Sequence, residues 1–385
     1  MSPGTRIYAD YNATAPLRPE AKAAMSRALE MKGNPSSVHG EGRKARALVE
    51  GAREAVAAAI GACRDDIAFT SGGTEAVGAA LRGALHATKD LALVASAIEH
   101  DAVSSVATGK DVWPVKASGV VDLDWLREEL LKVASQGMRS LVSLMLVNNE
   151  TGVIQLVAEA AEIVHAAGGL IHCDAIQALG KVTTSIIDLD VDYLSVSAHK
   201  IGGPQGVGAF YVKPGAPFRA VQTGGGQEFG RRAGTENVAG IAGFGAAVEA
   251  AETGMAGYQA LGAVRDRMEA ILKSAAPSLQ VHGEAAPRVA GVSCFGVEGL
   301  PSETQIMGLD LAGFAVSAGS ACSSGKVKPS RVLTAMGLSD TAARSAIRAS
   351  FGWASTADDF DALANAWIKM AARARPQLVK LNAHV

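Results

Sequence analysis

From the N-terminus to about residue 251, predicted strands alternate with predicted helices, and this alternation constrains the fold more than any other feature. Short apolar runs at residues 67–70, 91–95 and 141–147 have the length of buried strands, and segments with helical periodicity lie between them. Alternation of this kind is typical of a mostly parallel sheet that helices cover on both faces. The sequence therefore predicts an α/β fold.

The pattern changes near residues 253–254, after which strands and helices no longer alternate regularly. A chain of 385 residues is also longer than one hydrophobic core usually holds. We therefore expect a large domain over residues 15–254 and a smaller α+β domain. The smaller domain is assigned residues 1–14 together with residues 255–385.

Composition excludes several classes of function. The formal net charge is -2 and aromatic residues make up 5% of the chain, so neither nucleic acid nor an anionic membrane is an expected partner. We find no signal peptide and no apolar run long enough to span a bilayer, which predicts a cytoplasmic protein. The cysteines lack Cys-x-x-Cys spacing, so neither a disulfide framework nor a zinc site is expected: they are Cys63, Cys173, Cys294 and Cys322.

Two predicted strands end in residues of complementary chemistry. Lys200 follows the strand at residues 193–196 and precedes a Gly-Gly-Pro turn, and Asp174 ends the preceding strand. Ligands of α/β sheets bind at these strand ends. A lone lysine there would usually be a solvated surface residue. A lysine beside an acid is instead what pyridoxal phosphate (PLP) requires, because the amine forms a Schiff base and the acid keeps the pyridine nitrogen protonated.

Other strand ends carry candidate ligands. Gly72, Gly73 and Thr74 join a strand to a helix, where backbone N–H groups bind anions; an ordinary helix cap is an equally good explanation. His100 follows a strand, which is more often a structural position than a catalytic one. Asn149 lies in a turn that its side chain could stabilise, or it could bind a ligand oxygen.

Two glycine-rich or serine-rich segments also contain reactive groups. Residues 223–237 have the composition of a flexible linker, yet they include Arg231, Arg232 and Thr235, which bind anions well. Cys322 lies among small residues in a segment that we expect to be mobile, whereas structural cysteines usually sit in apolar runs. Exposure of this kind favours thiol reactivity.

Together these motifs resemble the cysteine desulfurases of the NifS and IscS type, which belong to the class V aminotransferase family and have the fold type I PLP architecture. The resemblance extends from residue 8 to residue 348. It implies that Lys200 forms the Schiff base, that Asp174 and Gln177 contact the pyridine nitrogen and ring hydroxyl, and that His100 stacks on the ring and transfers protons. The implied phosphate ligands are Gly73, Thr74, Ser197, His199 and, from a partner subunit, Thr235.

The resemblance also implies the reaction. Asn34 and Arg348 would bind the carboxylate of L-cysteine, and Asn149 would contact both substrate and cofactor. Lys200 would remove the α-proton, and Cys322 would attack the substrate sulfur. The products would be L-alanine and a persulfide, which a homodimeric enzyme would pass to an acceptor such as an iron–sulfur scaffold.

Two alternatives stay open on the sequence alone. One is a selenocysteine lyase or another class V PLP enzyme in which Cys322 has no nucleophilic role. The other is a sulfur-carrier scaffold without a cofactor. The chain also departs from the family at Gly202, where an aromatic residue is usual, and at residues 10–15, and the motifs do not identify the sulfur acceptor.

Overall fold

The computed structural model of the chain describes residues 6–107, 112–319 and 329–380. The strands in chain order are β1 (Ile7–Tyr8), β2 (Ile67–Thr70), β3 (Leu91–Ala95), β4 (Arg139–Met145), β5 (Leu170–Asp174), β6 (Tyr193–Ser197), β7 (Gly208–Val212), β8 (Gln280–Val281), β9 (Val292–Gly296), β10 (Phe314–Ala315), β11 (Ser317–Ala318) and β12 (Ala346–Ser350).

Long helices occur in both halves of the chain. In chain order the helices are α1 (Pro19–Leu29), α2 (Gly40–Ile60), α3 (Gly73–Ala87), α4 (Asp101–Ser104), α5 (Leu123–Ser135), α6 (Val157–Ala166), α7 (Ile186–Leu189), α8 (Val238–Thr253), α9 (Met255–Ala275), α10 (Ser302–Leu311), α11 (Arg331–Ala335), α12 (Asp340–Arg344) and α13 (Ala357–Ala374).

The central sheet has the order β2-β7-β6-β5-β4-β3. Strands β3, β4, β5 and β6 run parallel to one another, and β7 runs antiparallel to both β6 and β2. Successive side chains point to opposite faces: Leu194 packs in the core with α2, α6 and α8, whereas Tyr193 packs in the core with α3. The predicted α/β fold with a mostly parallel, doubly covered sheet is confirmed.

A second, antiparallel sheet has the order β11-β12-β9-β8 and packs with α9 and α13 around its own apolar cluster. Strand β1 pairs in parallel with β10, so residues 7–8 join the C-terminal part of the chain. This pairing favours the assignment of residues 1–14 with residues 255–385, and we propose that division of the chain into two domains. Among the described residues, no helix combines the length and apolarity needed to cross a bilayer.

The sequence located most long elements to within a few residues. The strand expected at residues 141–147 begins and ends two residues earlier as β4, because residues 146–155 turn back on themselves through a bridge between Val147 and Ile154. The two-residue strands β8, β10 and β11 were not predicted, since two residues show no periodicity.

Candidate active site

The carboxyl ends of β5 and β6 bring two of the predicted residues together. Asp174 lies opposite Ser195 in the parallel register, and Lys200 follows β6 within a short 3-10 turn, Ala198–Lys200. Lys200 Nζ donates hydrogen bonds to the main-chain oxygens of Asn12 at 2.7 Å and Ala13 at 2.9 Å. The N-terminal segment therefore holds the lysine amine at the edge of the sheet.

The surroundings of Lys200 favour its neutral form. Burial and the nearby Arg348 guanidinium lower the pKa of Lys200 to about 8, although Asp10 and Asp174 act in the opposite direction. A neutral amine is the nucleophilic form of lysine. The neutral fraction of Lys200 near neutral pH is therefore larger than that of an exposed lysine.

This shift predicts how Lys200 reacts in the cofactor-free protein. The neutral fraction grows as the pH rises, so the acetylation rate of Lys200 is expected to reach half its maximum near pH 8. For an exposed lysine the midpoint lies at about 10.4. Peptide mass spectrometry after brief acetic anhydride pulses measures the midpoint of Lys200 and that of an exposed lysine in the same sample. A Lys200 midpoint above pH 10 would contradict the proposed environment.

Asp174 is a buried carboxyl near two cationic or ionisable side chains. Burial raises its pKa, and the backbone N–H of Ile176, which donates to Oδ1 at 2.9 Å, together with His100 and Lys200, lowers it. The neighbouring Glu99 is also buried, and burial together with Asp174 raises the pKa of Glu99 to about 8. Glu99 therefore retains its proton near neutral pH and adds no charge beside Asp174, whose own pKa is raised on balance because burial is the largest effect.

Ser197, Gly73 and the start of α3 form a site suited to a phosphate group. The Ser197 Oγ atom is buried and has no hydrogen-bond partner among the described residues. A Cβ atom at Gly73 would come within 2.5 Å of Ile176 Cδ1 and 3.3 Å of Ser197 Cβ, so any larger residue would displace the Ile176 side chain from this site. The N-cap of α3 is Gly72, which has no side chain, so Thr74 in the first turn is not the helix cap. The unpartnered hydroxyl and the helix N-terminus fit a bound phosphate.

The two predicted histidines have different surroundings. Burial and the nearby Lys200 lower the pKa of His199 to about 4, so its ring is neutral, and Nδ1 lies 3.2 Å from Thr14 Oγ1. His100 is the N-cap of α4, and its Nδ1 accepts a hydrogen bond from Ala102 N at 3.1 Å. Only Nε2 of His100 is then available for proton transfer.

Arg348 lies in the middle of β12, and both terminal nitrogens of its guanidinium already have hydrogen-bond partners. One terminal nitrogen, Nη2, donates to Asp10 Oδ1 at 2.6 Å, and Nη1 donates to the main-chain oxygen of Asn149 at 3.1 Å. The buried Nε atom has no partner among the described residues. A substrate carboxylate would therefore approach a guanidinium whose orientation Asp10 and Asn149 fix. Asn149 contributes its main-chain oxygen to this arrangement.

Two predicted residues lie apart from this cluster, and a third lies outside the described residues. Asn34 is exposed, and its Oδ1 accepts a hydrogen bond from Ser36 N at 2.8 Å. Thr235 is also exposed. In the described parts of the chain, no hydrogen bond joins either residue to Lys200 or Asp174. Cys322 lies outside the described residues.

The glycine-rich segment at residues 223–237 has a defined conformation, contrary to a flexible linker. Glu228 and Phe229 adopt positive φ angles of 49° and 55°, which non-glycine residues seldom do. The Glu228 carboxylate is held by Arg53, at 2.5 Å from Nη1, and by the backbone N–H of Phe69 at 2.8 Å. Arg232 then pairs with Glu75 in the first turn of α3 at 2.8 Å.

Several residues of the cluster escaped prediction. The main-chain oxygen of Asn12 accepts a hydrogen bond from Gln177 Nε2, and Lys181 Nζ donates to Gln177 Oε1. Glu99 lies beside Asp174. Asn12 belongs to the N-terminal motif that the sequence singled out, but its contacts bridge distant parts of the chain. Lys181 stands four residues after Gln177, which is the one local signal that could have revealed it.

The departure at Gly202 has a structural explanation. Gly202 has φ of +87°, and a Cβ atom there would lie 2.7 Å from Arg18 Cγ and 3.0 Å from Trp353 Nε1. The Arg18 guanidinium in turn lies over the Trp353 ring, 5.1 Å from its centroid. Arg18 and Trp353 thus fill the space that a side chain at Gly202 would occupy.

Comparisons with known proteins agree with this arrangement. A family model described as aminotransferase class-V matches residues 7–363. A cysteine desulfurase of Cereibacter sphaeroides is 43% identical over 369 residues, which cover 93% of this chain and 94% of that protein. The cysteine desulfurase IscS of Dictyoglomus turgidum is 39% identical, with 92% of each chain covered. The X-ray structure of a NifS-like protein from Rickettsia africae is similar, with a TM-score of 0.86, 31% identity, and 95% of this chain and 99% of that chain covered.

Proposed function

Because this chain belongs to the aminotransferase class-V family, we propose that it is a PLP-dependent cysteine desulfurase. The resemblance to the NifS and IscS type that the motifs indicated is confirmed by the comparisons. The observation that carries the proposal is the placement of Lys200 and Asp174 at adjacent strand ends of the central sheet.

The described residues suit the cofactor. Lys200 Nζ would bind its aldehyde carbon, the Asp174 carboxylate its ring nitrogen, Gln177 its ring oxygen, and Ser197 with Gly73 and Thr74 its phosphate. When bound, PLP supplies an electron sink next to the substrate α-carbon. The unpartnered Ser197 Oγ and the position of the Asp174 carboxyl at the strand end next to Lys200 are the features that favour this ligand.

The chain's own groups would then perform the remaining steps. Arg348 binds the cysteine carboxylate through its planar guanidinium, and Lys200 as a free amine accepts the α-proton. Cys322 as a thiolate attacks the substrate sulfur: the bond between Cβ and sulfur breaks, and a sulfur–sulfur bond forms on Cys322. His100 Nε2 delivers protons, and the former Cβ carbon leaves as the methyl group of L-alanine.

The test is to incubate the purified protein with L-cysteine and a thiol reductant and to measure alanine and sulfide. Equal amounts of both are expected, together with a visible absorption band from the bound cofactor. A protein that binds no PLP would be the scaffold alternative. A protein that forms alanine from selenocysteine but not from cysteine would be the lyase alternative.

We infer that two copies share their active sites. Thr235 is exposed, and the segment that carries it is held in one conformation by Glu228 and by the pairing of Arg232 with Glu75. Phe229 in the same segment is 48% exposed, which suits burial against a second subunit. Thr235 would then reach the phosphate bound by the partner.

Sedimentation and activity at falling protein concentration test the shared site. Specific activity is expected to fall as the dimer dissociates, and Thr235→Ala is expected to weaken PLP binding without dissociating the dimer. A monomer with full activity would contradict a shared site.

The downstream partner is proposed from chemistry and from the relative named IscS. A persulfide on Cys322 requires an acceptor, and an iron–sulfur scaffold protein is the acceptor we propose. A reducing cytoplasm is the proposed location, because Cys63, Cys173 and Cys294 are free thiols. Capture of a persulfide-dependent complex with the scaffold, lost on reduction, would support this assignment.

A further inference from the structure

Lys181 is a buried lysine that the reaction above does not use. Its exposed fraction is 7%, and no carboxylate lies within ion-pair distance of it in the described part of the chain. Burial, Lys200 and Arg348 lower its pKa to about 7. Burying an amine without an acidic partner costs free energy, so the burial of Lys181 must have a reason other than an ion pair.

The hydrogen bonds of Lys181 supply a reason for its burial. Its Nζ atom donates to Gln177 Oε1 at 2.7 Å and to Asn12 Oδ1 at 2.9 Å. A lysine ammonium has donors and no acceptor, and a neutral amine still has two hydrogens, one for each oxygen. The ammonium form can therefore face only the oxygen ends of the two carboxamides, and the neutral amine keeps one hydrogen for each of these oxygens.

This constraint fixes the opposite, nitrogen end of each carboxamide. Asn12 Nδ2 donates to the main-chain oxygen of Asn149 at 3.0 Å, and Gln177 Nε2 donates to the main-chain oxygen of Asn12 at 2.9 Å. The same Asn12 oxygen accepts from Lys200 Nζ. One N–H of Gln177 Nε2 remains for a ligand.

Local geometry places Lys181 under Gln177. Hydrogen-bonded turns run through residues 175–182, and Lys181 N donates to the main-chain oxygen of Ala178 within them. Gly180 has φ of +68°, and a Cβ atom there would lie 2.7 Å from the Cβ atom of Ala251. The left-handed turn at Gly180 directs the next residue into the site.

We propose that Lys181 is a positioning residue, which fixes the carboxamides of Gln177 and Asn12 so that Gln177 presents an N–H to the ring oxygen of PLP. The inference rests on the proposed function, since it names PLP as the ligand. Without Lys181, only the hydrogen bond from Nε2 to the main-chain oxygen of Asn12 holds this orientation, so the Gln177 carboxamide more often turns its oxygen toward the oxygen of the ring, where two acceptors repel.

A double-mutant cycle tests this role through the dissociation constant of PLP from the apoprotein, measured by titration. Lys181→Met and Gln177→Ala are each expected to weaken binding by about five- to tenfold, the effect of one hydrogen bond. If Lys181 acts through Gln177, the double variant binds within about twofold of Gln177→Ala. Independent effects would multiply to about 25-fold or more and would overturn the proposal, as would unchanged binding by either single variant.

Two further variants separate positioning from folding. Lys181→Arg keeps a donor-only side chain, and a cavity of about 30 Å³ beside Lys181 gives it room, so binding close to wild type is expected. Lys181→Gln can turn either end toward Gln177 and is expected to resemble Lys181→Met; it replaces that variant in the cycle if Lys181→Met does not fold. Equal binding by the Arg and Gln variants would overturn the donor argument.

Lys213→Met, at a surface lysine that pairs with Asp190, is the matched control. Failure of the wild-type apoprotein to bind PLP would instead contradict the proposed function.

Discussion

Lys200→Ala is expected to abolish covalent attachment of PLP and to reduce alanine formation from L-cysteine by at least about 10³-fold, within the range for loss of an acid–base group. In the proposed mechanism, the variant loses both the amine that binds the cofactor and the base that accepts the α-proton. The phosphate ligands around Ser197 and α3 remain, so PLP is expected to bind non-covalently.

Borohydride reduction followed by peptide mapping provides the measurement. In the wild type, the reduced cofactor is expected on the peptide that contains Lys200. Lys213→Met serves as the control, because Lys213 lies on the surface in a pair with Asp190. Attachment of PLP to Lys181, the other buried lysine next to Asn12, would refute the assignment.

Cys322→Ser is expected to lose alanine formation by at least about 10³-fold, the order seen when an enzyme loses its nucleophile. A serine hydroxyl stays protonated near neutral pH and attacks sulfur poorly. The substitution leaves Lys200, Asp174 and the proposed phosphate ligands unchanged, so PLP binding and the visible band are expected to survive.

Mass spectrometry for a persulfide on the Cys322 peptide completes this test, and Cys63→Ser is the matched control at an exposed cysteine. The loss with selenocysteine is expected to be smaller, since selenium leaves more readily. Near wild-type desulfuration by Cys322→Ser, or a persulfide found only on another cysteine, would favour the lyase alternative.

Much of this site was predictable because it follows strand ends. Lys200 and Asp174 each come directly after an apolar run, and parallel strands bring such positions together whatever the rest of the chain does. The glycines before α3 were equally visible, since a strand, two glycines and a helix form a local pattern.

Other features could not be predicted because their partners are remote in sequence. The pairing of Arg348 with Asp10 joins residues 338 positions apart, and the bond from Lys181 to Asn12 spans 169. The segment around Glu228 reads as a linker because composition does not reveal the buried Arg53 that holds it. In each case tertiary contacts decide the conformation against the local pattern.

The pairing of β1 with β10 has a consequence for the timing of synthesis. Residues 7–8 leave the ribosome first, whereas their partners at 314–315 and the Arg348 partner of Asp10 come near the end. At 5–20 residues per second this interval lasts about 20 to 70 s. Throughout it, the partners of Asn12 at residues 149, 177 and 181 are available, but the C-terminal partners of residues 7, 8 and 10 are not. A chain that stops before residue 314 is therefore expected to hold the carbonyl groups of Asn12 and Ala13 less firmly against Lys200 and to take up cofactor less readily.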